Sequence, residues 1–429
     1  MPRYIKRGAI IFSLSFVSFA VIHIFYTYTG VHETPRRTDQ LGNGVDTIDR
    51  DLDNGVTRES GQGRESVKIR LSDFRESSKN FFLDKPVTNI KLSNNDVSSS
   101  RKEPGRRARY LVYRCGGKFT FCGGWADRFK GIAIGYLISK VTNRTFGISI
   151  THPPCDLQRY LLPNQIAWNI DLSNTVVKSK KNSVGYHDVI SDVNFYHSIE
   201  KMDFDKYLKE DLVFFKGNLD YVDKFKNNYR YLNQNAWLAN LTRDQIYAKV
   251  YNQLFSLAPD IQRDLSSFLK IARPTPSHKL VCSQIRVGRN PTNPRDRANI
   301  GSKEDVSKVW RFLGQYNDPD KYRIYVTSDS EQVRTEAHAR FGKMLVDTEG
   351  PLVHIDKFTN STSVCDGMRK LILDQHVLMN CDVFLLTFSG LGRMAAYLRQ
   401  KESGLFCLVK HEIVSCSAHT LKELYNVFG

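Results

Sequence analysis

From position 279 onward, short apolar runs alternate with longer stretches of helical period. Lys279 to Val287, Tyr322 to Val326, Met344 to Val346, Asp382 to Leu386 and Leu405 to Val409 are β-branched and aromatic runs that predict buried strands. Between them, Val306, Val309, Trp310 and Leu313 repeat at helical spacing behind the cap-like Ser302-Lys303-Glu304-Asp305. A second helix runs through Val333 and Ala337, and a third spans 365–380 with Met368, Leu371, Ile372, Leu378 and Met379 on its apolar face. Strands alternating with helices predict a parallel sheet covered on both faces. Polar stretches follow three of the strands: Arg286 to Gly288, Thr327 to Asp329, and Ser389-Gly390. One sheet would gather them at one edge, where open α/β sheets bind ligands.

A second ordered region opens at the strand-like Arg109-Tyr110-Leu111-Val112-Tyr113. Cys115-Gly116-Gly117 and Gly123-Gly124-Trp125-Ala126-Asp127-Arg128 follow, and then Phe129, Ile132, Ala133, Tyr136 and Leu137 at helical spacing. Asn143-Arg144-Thr145 ends that helix and Phe146 to Ile150 is the next strand. The Gly-Gly loop thus lies between a strand and a helix N-terminus, a place suited to anions. Its spacing alone reads as a tight turn needing glycine for positive φ. From 151 to 276 the pattern is mixed, with many aromatics and one helical stretch from Asp244 to Leu257.

The N-terminus bears on compartment. Arg3, Lys6 and Arg7 precede an uncharged apolar run from Gly8 to Tyr28, and about twenty such residues span a bilayer as a helix. An uncleaved signal anchor is expected over 1–30, with a cleaved signal peptide as the rival. Residues 31–108 are polar and charge-mixed, the composition of a disordered stem. Eight cysteines, an even number, fit disulfides in an oxidising lumen, with Cys115 and Cys122 placed to pin the loop between them. Asn143, Asn240 and Asn360 each open a glycosylation sequon. The expected location is the Golgi membrane, single-pass with the bulk lumenal, or the ER.

The 429 residues carry a formal net charge of +17, which suits nucleic acid, anionic membrane or a polyanionic substrate. No nucleic-acid-binding signature accompanies the charge, which excludes that class of partner. No cysteine pair has zinc-site spacing. Asp203-Phe204-Asp205 has the form with which metal-dependent sugar transferases hold manganese, but no clear hydrophobic strand precedes it and it reads as a surface feature.

The ordered set of motifs resembles the fucosyltransferase superfamily that includes α1,2-, α1,6- and protein O-fucosyltransferases with the xyloglucan and Nod-factor types. Gly-Gly-x-x-Asp-Arg at 123–128 is similar to that family's Gly-rich N-terminal loop, and Gln284-Ile285-Arg286-Val287-Gly288 to its first donor motif, His-x-Arg-x-Gly-Asp. Tyr325 to Asp329 is similar to the second motif, and Asp374 through Asp382 to Gly392 to the third. The resemblance implies a GT-B-like α/β fold of two Rossmann-like lobes, 109–276 on the acceptor side and 277–429 binding GDP-fucose. It implies inverting transfer of fucose to a glycan or glycoprotein without a metal or other cofactor. Arg286 would grip the diphosphate, and Thr327, Ser328 and Asp329 would line the donor pocket. Asp374 would bind on the guanine side, and Ser389 with Gly390 would contact phosphate. Gly124, Arg128 and Gly288 join the donor set through their motifs. Gln284 stands where many members have His, and Arg289 where many have Asp.

Inverting transfer also calls for a base on the acceptor hydroxyl. Asp127 is the first candidate, with an equally weighted role as helix cap; Glu304 and Asp296 follow. Two alternatives stand beside this reading: a metal-dependent GT-A transferase using Asp203 and Asp205, and an inactive lumenal nucleotide-sugar-binding protein.

Overall fold

The computed structural model describes residues 108–117, 121–173, 183–298, 300–358 and 362–427. The anchor expected over 1–30, and the stem except its last residue, lie outside them. Among the described residues no helix is long and apolar enough to cross a membrane.

The fold is mixed α/β with two largely parallel sheets. In the first half the strands are β1 (Tyr110–Cys115), β2 (Thr145–Ile150), β3 (Leu161–Pro163), β4 (Val184–Asp188) and β5 (Leu212–Lys216), with β6 (Phe255–Leu257) closing an antiparallel pair with β3. Four of them form a parallel sheet in the order β2-β1-β5-β4. Helix α1 (Trp125–Val141) follows β1, and α2 (Arg243–Leu254) and α3 (Pro259–Ala272) end this half. The apolar stripe expected on one face of α1 extends almost all round it, because fourteen of its residues are buried. An amphipathic reading of that helix is therefore too narrow.

The second half carries β7 (Lys279–Ile285), β8 (Tyr322–Ser328), β9 (Leu345–Val346), β10 (Val383–Leu386), β11 (Leu405–Val409) and β12 (Glu412–Ser415). Their order is β12-β11-β10-β7-β8-β9, all parallel except the β11–β12 hairpin. Helices α4 (Lys303–Leu313), α5 (Glu331–Phe341), α6 (Val364–Met379) and α7 (Gly390–Arg399) connect them. The predicted strands and helices of this half are present within a few residues of their expected ends. The hairpin strand β12 was not foreseen.

One continuous core joins the halves. It runs from Leu111 and Phe129 through Tyr247 and Tyr251 to Ile372, Phe384 and Ala395, so α1, α2, α6 and α7 pack between the sheets. Tyr247 of α2 stacks on Tyr397 of α7 with ring centroids 5.5 Å apart. A second core of Val309, Leu313, Ile324 and Val333 lies under α4 and α5 on the other face of the second sheet. Four disulfides use all eight cysteines: Cys115–Cys122, Cys155–Cys365, Cys282–Cys381 and Cys407–Cys416. The first pins the expected loop. Cys155–Cys365 fastens the two halves across 210 residues; closing so long a loop removes about 5 kcal/mol of unfolded-chain entropy in the simplest treatment.

Candidate functional site

The register of the second sheet decides which side chains meet. β7 is central, with Gln284 opposite Thr327 of β8 and Leu386 of β10. The three polar strand ends therefore do converge. They border a cleft of about 890 Å³, partly open to solvent, whose lining includes Gln284, Arg286, Thr327, Ser328, Asp329, Asp374, Ser389 and Gly390. The opposite wall is the N-terminus of α1, Gly124 to Asp127.

Arg286 lies at this edge with 18% of its side chain exposed. Its Nη1 donates to Asp329 and its Nη2 pairs with Asp296. Asp329 also accepts the Val287 and Gly288 N–H groups, each at 2.8 Å, which fixes the turn after β7. Gly288 holds φ +88°, and a Cβ there would lie 2.5 Å from the Arg297 carbonyl oxygen. Its N–H is spent on Asp329 and it does not border the cleft, so it serves the turn and not the ligand.

Asp296 links Arg289, Arg286 and Lys357. Arg289 donates its Nε–H to the Asp296 carbonyl at 3.1 Å, and the Asp296 carboxylate faces Arg286 and Lys357. Burial pushes that carboxyl up, but Arg286, Lys357 and the Arg297 N–H outweigh it and hold it below the usual carboxylate range. Asp296 is consumed by these cations and is poorly suited to be a base; Glu304 is on α4, paired with Lys308 at 2.8 Å and outside this cleft.

Asp374, on α6, forms the cleft's buried floor. It accepts from Thr327 Oγ1 at 2.7 Å, from Lys370 Nζ at 3.1 Å and from Thr348 Oγ1. Lys370 stands four residues before Asp374 on the same helix face, a signal legible in the sequence but not used. Ser389 caps α7 by accepting the Gly392 N–H at 3.3 Å, which brings the positive end of that helix to the cleft.

Among the described residues, two buried polar atoms lining the cleft have no hydrogen-bond partner: Gln284 Oε1 and Trp125 Nε1. An unpaired buried polar atom costs about 1–3 kcal/mol, so both mark positions where a ligand would supply the missing bond. His354 also faces the cleft. Burial depresses its imidazole below the ordinary value despite the pull of Asp296, with Arg286 and Lys357 adding to the depression. The neutral ring accepts the Asp356 N–H on Nδ1 at 3.3 Å. Trp125, His354 and Asn293 were not singled out by sequence: Trp125 fills an unspecified place in the Gly-Gly-x-x-Asp-Arg loop, and His354 and Asn293 arrive from loops without a motif.

The first wall departs from expectation. Gly123 has φ +78°, as a tight turn requires. Gly124 borders the cleft and is the N-cap of α1, with no atom near a Cβ built on it. Arg128 is not a donor contact. Its guanidinium is fully buried, giving Nε to Gly123 O at 2.9 Å, Nη1 to His152 O, and Nη2 to Ile355 O and Asp356 Oδ1 at 3.4 and 3.2 Å. It straps the halves together from within. Asp127 is the third residue of α1, not the residue before it. Its carboxylate accepts the Gly124 N–H at 3.3 Å and pairs with Lys130 at 2.9 Å. Burial raises its pKa, but Lys130, Arg393 and Gly124 together bring it below the ordinary value. Of its two weighted roles, capping is the one this geometry favours.

Asp203 caps a short helix by accepting the Lys206 N–H at 3.1 Å, Asp205 pairs with Arg109 at 3.3 Å, and Phe204 between them is buried. Neither carboxylate reaches the cleft, so the metal-dependent alternative has no site there. Asn143 and Asn240 are exposed; Asn360 lies outside the described residues.

No family model matches the chain, and no curated protein matches it. Among solved structures it is similar to an arginine-to-lysine mutant of Arabidopsis thaliana FUT1 in complex with GDP, at 12% identity and TM-score 0.49 over 71% of each chain. It is similar to the fucosyltransferase NodZ from Bradyrhizobium at 9% identity and TM-score 0.45, over 73% of this chain and 99% of that one. A third likeness is to POFUT1 in complex with GDP, at 11% identity and TM-score 0.36, over 68% and 96%. At such values they do not bear on the chemistry of the cleft.

Proposed function

We propose that the cleft binds a nucleoside diphosphate sugar and that the protein is a fucosyltransferase moving fucose from GDP-fucose to a glycan or glycoprotein with inversion. The observation that carries the reading is the placement of Arg286 at the β7 edge beside Thr327, Ser389 and the N-terminus of α7. The four ordered motifs supply the identity of the donor.

The mechanism follows from charge. As the bond between the sugar and the diphosphate breaks, negative charge gathers on the leaving oxygen. A guanidinium already aimed at that oxygen, together with free N–H groups at a helix start, stabilises the charge without reorganisation. Asp329 and Asp296 fix the plane of the guanidinium before the ligand arrives. Asp374 with Lys370 and Thr348 forms a rigid polar floor for the base end of the nucleotide. The carboxamide of Gln284 and the indole N–H of Trp125 supply an acceptor and a donor to the bound ligand. The same reading places this region in an oxidising lumen of the secretory pathway, where four disulfides persist, behind a membrane anchor, with Asn143, Asn240 and Asn360 as glycosylation sites.

A panel of nucleotide sugars tests it. GDP-fucose should raise the melting temperature by mass action and label a glycan acceptor. A shift with UDP-sugars and none with GDP-fucose removes the reading. Binding of GDP-fucose with no turnover on any acceptor favours the inactive binding protein.

A further inference from the structure

Between β9 and α6 the chain borders the cleft from Pro351 to Ile355 and makes a tight turn there. The His354 carbonyl accepts the Lys357 N–H at 3.0 Å, and the His354 ring accepts the Asp356 N–H on Nδ1 at 3.3 Å. An Asn or Asp side chain usually makes that second bond, to the backbone two residues on. Here an imidazole makes it and keeps a second nitrogen further out. Among the described residues that nitrogen, Nε2, has no hydrogen-bond partner.

The rest of the turn is anchored on both sides. Asp356 Oδ1 accepts the Cys122 N–H at 2.9 Å and Arg128 Nη2 at 3.2 Å, which ties the turn to the first half. Lys357 Nζ pairs with Asp296 at 3.0 Å, and Asp296 pairs with Arg286, which ties it to the β7 edge. The half-buried ring between these anchors lies within electrostatic reach of Arg286 and Asp296. A backbone N–H only donates, so Nδ1 keeps its lone pair and the ring proton sits on Nε2. A second proton would set Nδ1–H against the Asp356 N–H, with the Arg286 and Lys357 cations close by. The ring is therefore a neutral donor of fixed direction. Such donors matter at this edge, because Arg286 and Lys357 are already matched by Asp296 and Asp329. An anion arriving there is met by oriented N–H groups as much as by net charge.

We propose that His354 is a diphosphate-binding residue, whose Nε2–H donates to a phosphate oxygen of the bound nucleoside diphosphate sugar beside Arg286. It acts as a neutral hydrogen-bond donor and not as the base on the acceptor hydroxyl. The inference rests on the donor reading above, because a diphosphate held at Arg286 is the anion this N–H would meet.

Two amide variants separate this role from a part in the turn alone. His354→Asn can keep the bond to the Asp356 N–H but is too short to reach the ligand. His354→Gln carries an N–H about as far out as Nε2 but gives up the bond within the turn. GDP is titrated by calorimetry into the full chain and each variant, beside melting curves. His354→Asn should keep the wild-type melting temperature and bind GDP about tenfold or more weakly, as loss of a hydrogen bond to a charged group requires. His354→Gln should bind GDP close to the wild-type affinity even where its melting temperature falls. Wild-type affinity in His354→Asn makes His354 a turn residue and overturns the proposal; weak binding in both variants also overturns it. Either result leaves the donor reading standing as long as Arg286→Lys binds GDP more weakly than the wild type. A wild type that does not bind GDP overturns the donor reading and this proposal with it.

Discussion

The two walls of the cleft each offer a glycine turn and an arginine at a strand–helix junction, and they use them oppositely. In the first, Arg128 is fully buried and gives its donors to three backbone carbonyls and Asp356. In the second, Arg286 keeps 18% of its side chain exposed, rests between Asp296 and Asp329, and borders the cleft. The same residue type beside the same kind of turn is a strap in one place and a ligand group in the other. What separates them is where the donors are already spent, which only the three-dimensional surroundings decide.

Replacing each arginine should break the comparison apart, and the strap has the larger effect. Arg128→Met removes the cation beside buried Asp356, which keeps only the Cys122 N–H, and takes a donor from three carbonyls. Unfolding by urea should show a loss of about 3–5 kcal/mol, the cost of removing one member of a buried pair. Arg286→Lys should keep the wild-type melting temperature but lower kcat about 10²–10³-fold, roughly 3–4 kcal/mol of barrier, because a point charge cannot reproduce the planar fork. Steady-state kinetics beside a melting curve separates the two behaviours; a stability loss in Arg286→Lys equal to that of Arg128→Met erases the distinction.

Smaller effects sharpen it. Gln284→Met removes a buried amide oxygen that has no partner among the described residues and should leave the melting temperature equal or higher while weakening GDP-fucose binding by about 1 kcal/mol, read by calorimetry. Asp127→Asn should cost about 1 kcal/mol through the weakened capping box with GDP affinity unchanged. Because the folded Asp127 pKa is depressed, its contribution is complete above the unfolded value of about 3.9 and is lost as pH falls through the lower folded value. The stability gap between wild type and Asp127→Asn should therefore hold from pH 8 to 5 and close below pH 4.

Much of the second sheet was legible because each of its strands is a compact apolar run flanked by helical periodicity, and its polar ends fall at the same edge by register. The first half was less so. Leu212 to Phe215 is a fully buried strand of four apolar residues, too short to separate from a helix fragment by period. β4 is an edge strand, Val-Gly-Tyr-His-Asp, with little apolar signal at all. Arg286 of the first donor motif was read as a cleft residue and does border the cleft. The same reading fails for Arg128, since nothing in Asp-Arg at a helix start says whether the side chain turns out or in. Asp296 was named only as a candidate base, because nothing in the sequence says that the loop after β7 folds back to set its carboxylate against Arg286.

The most direct test of the account is a calorimetric titration of GDP into the full chain and its Arg286→Lys variant at pH 7. The account predicts that the wild type binds and that the variant, equally stable, binds about tenfold more weakly or worse, as loss of a charge-assisted pair of hydrogen bonds requires. Equal affinity in the two proteins would contradict it, because Arg286 would then not touch the diphosphate.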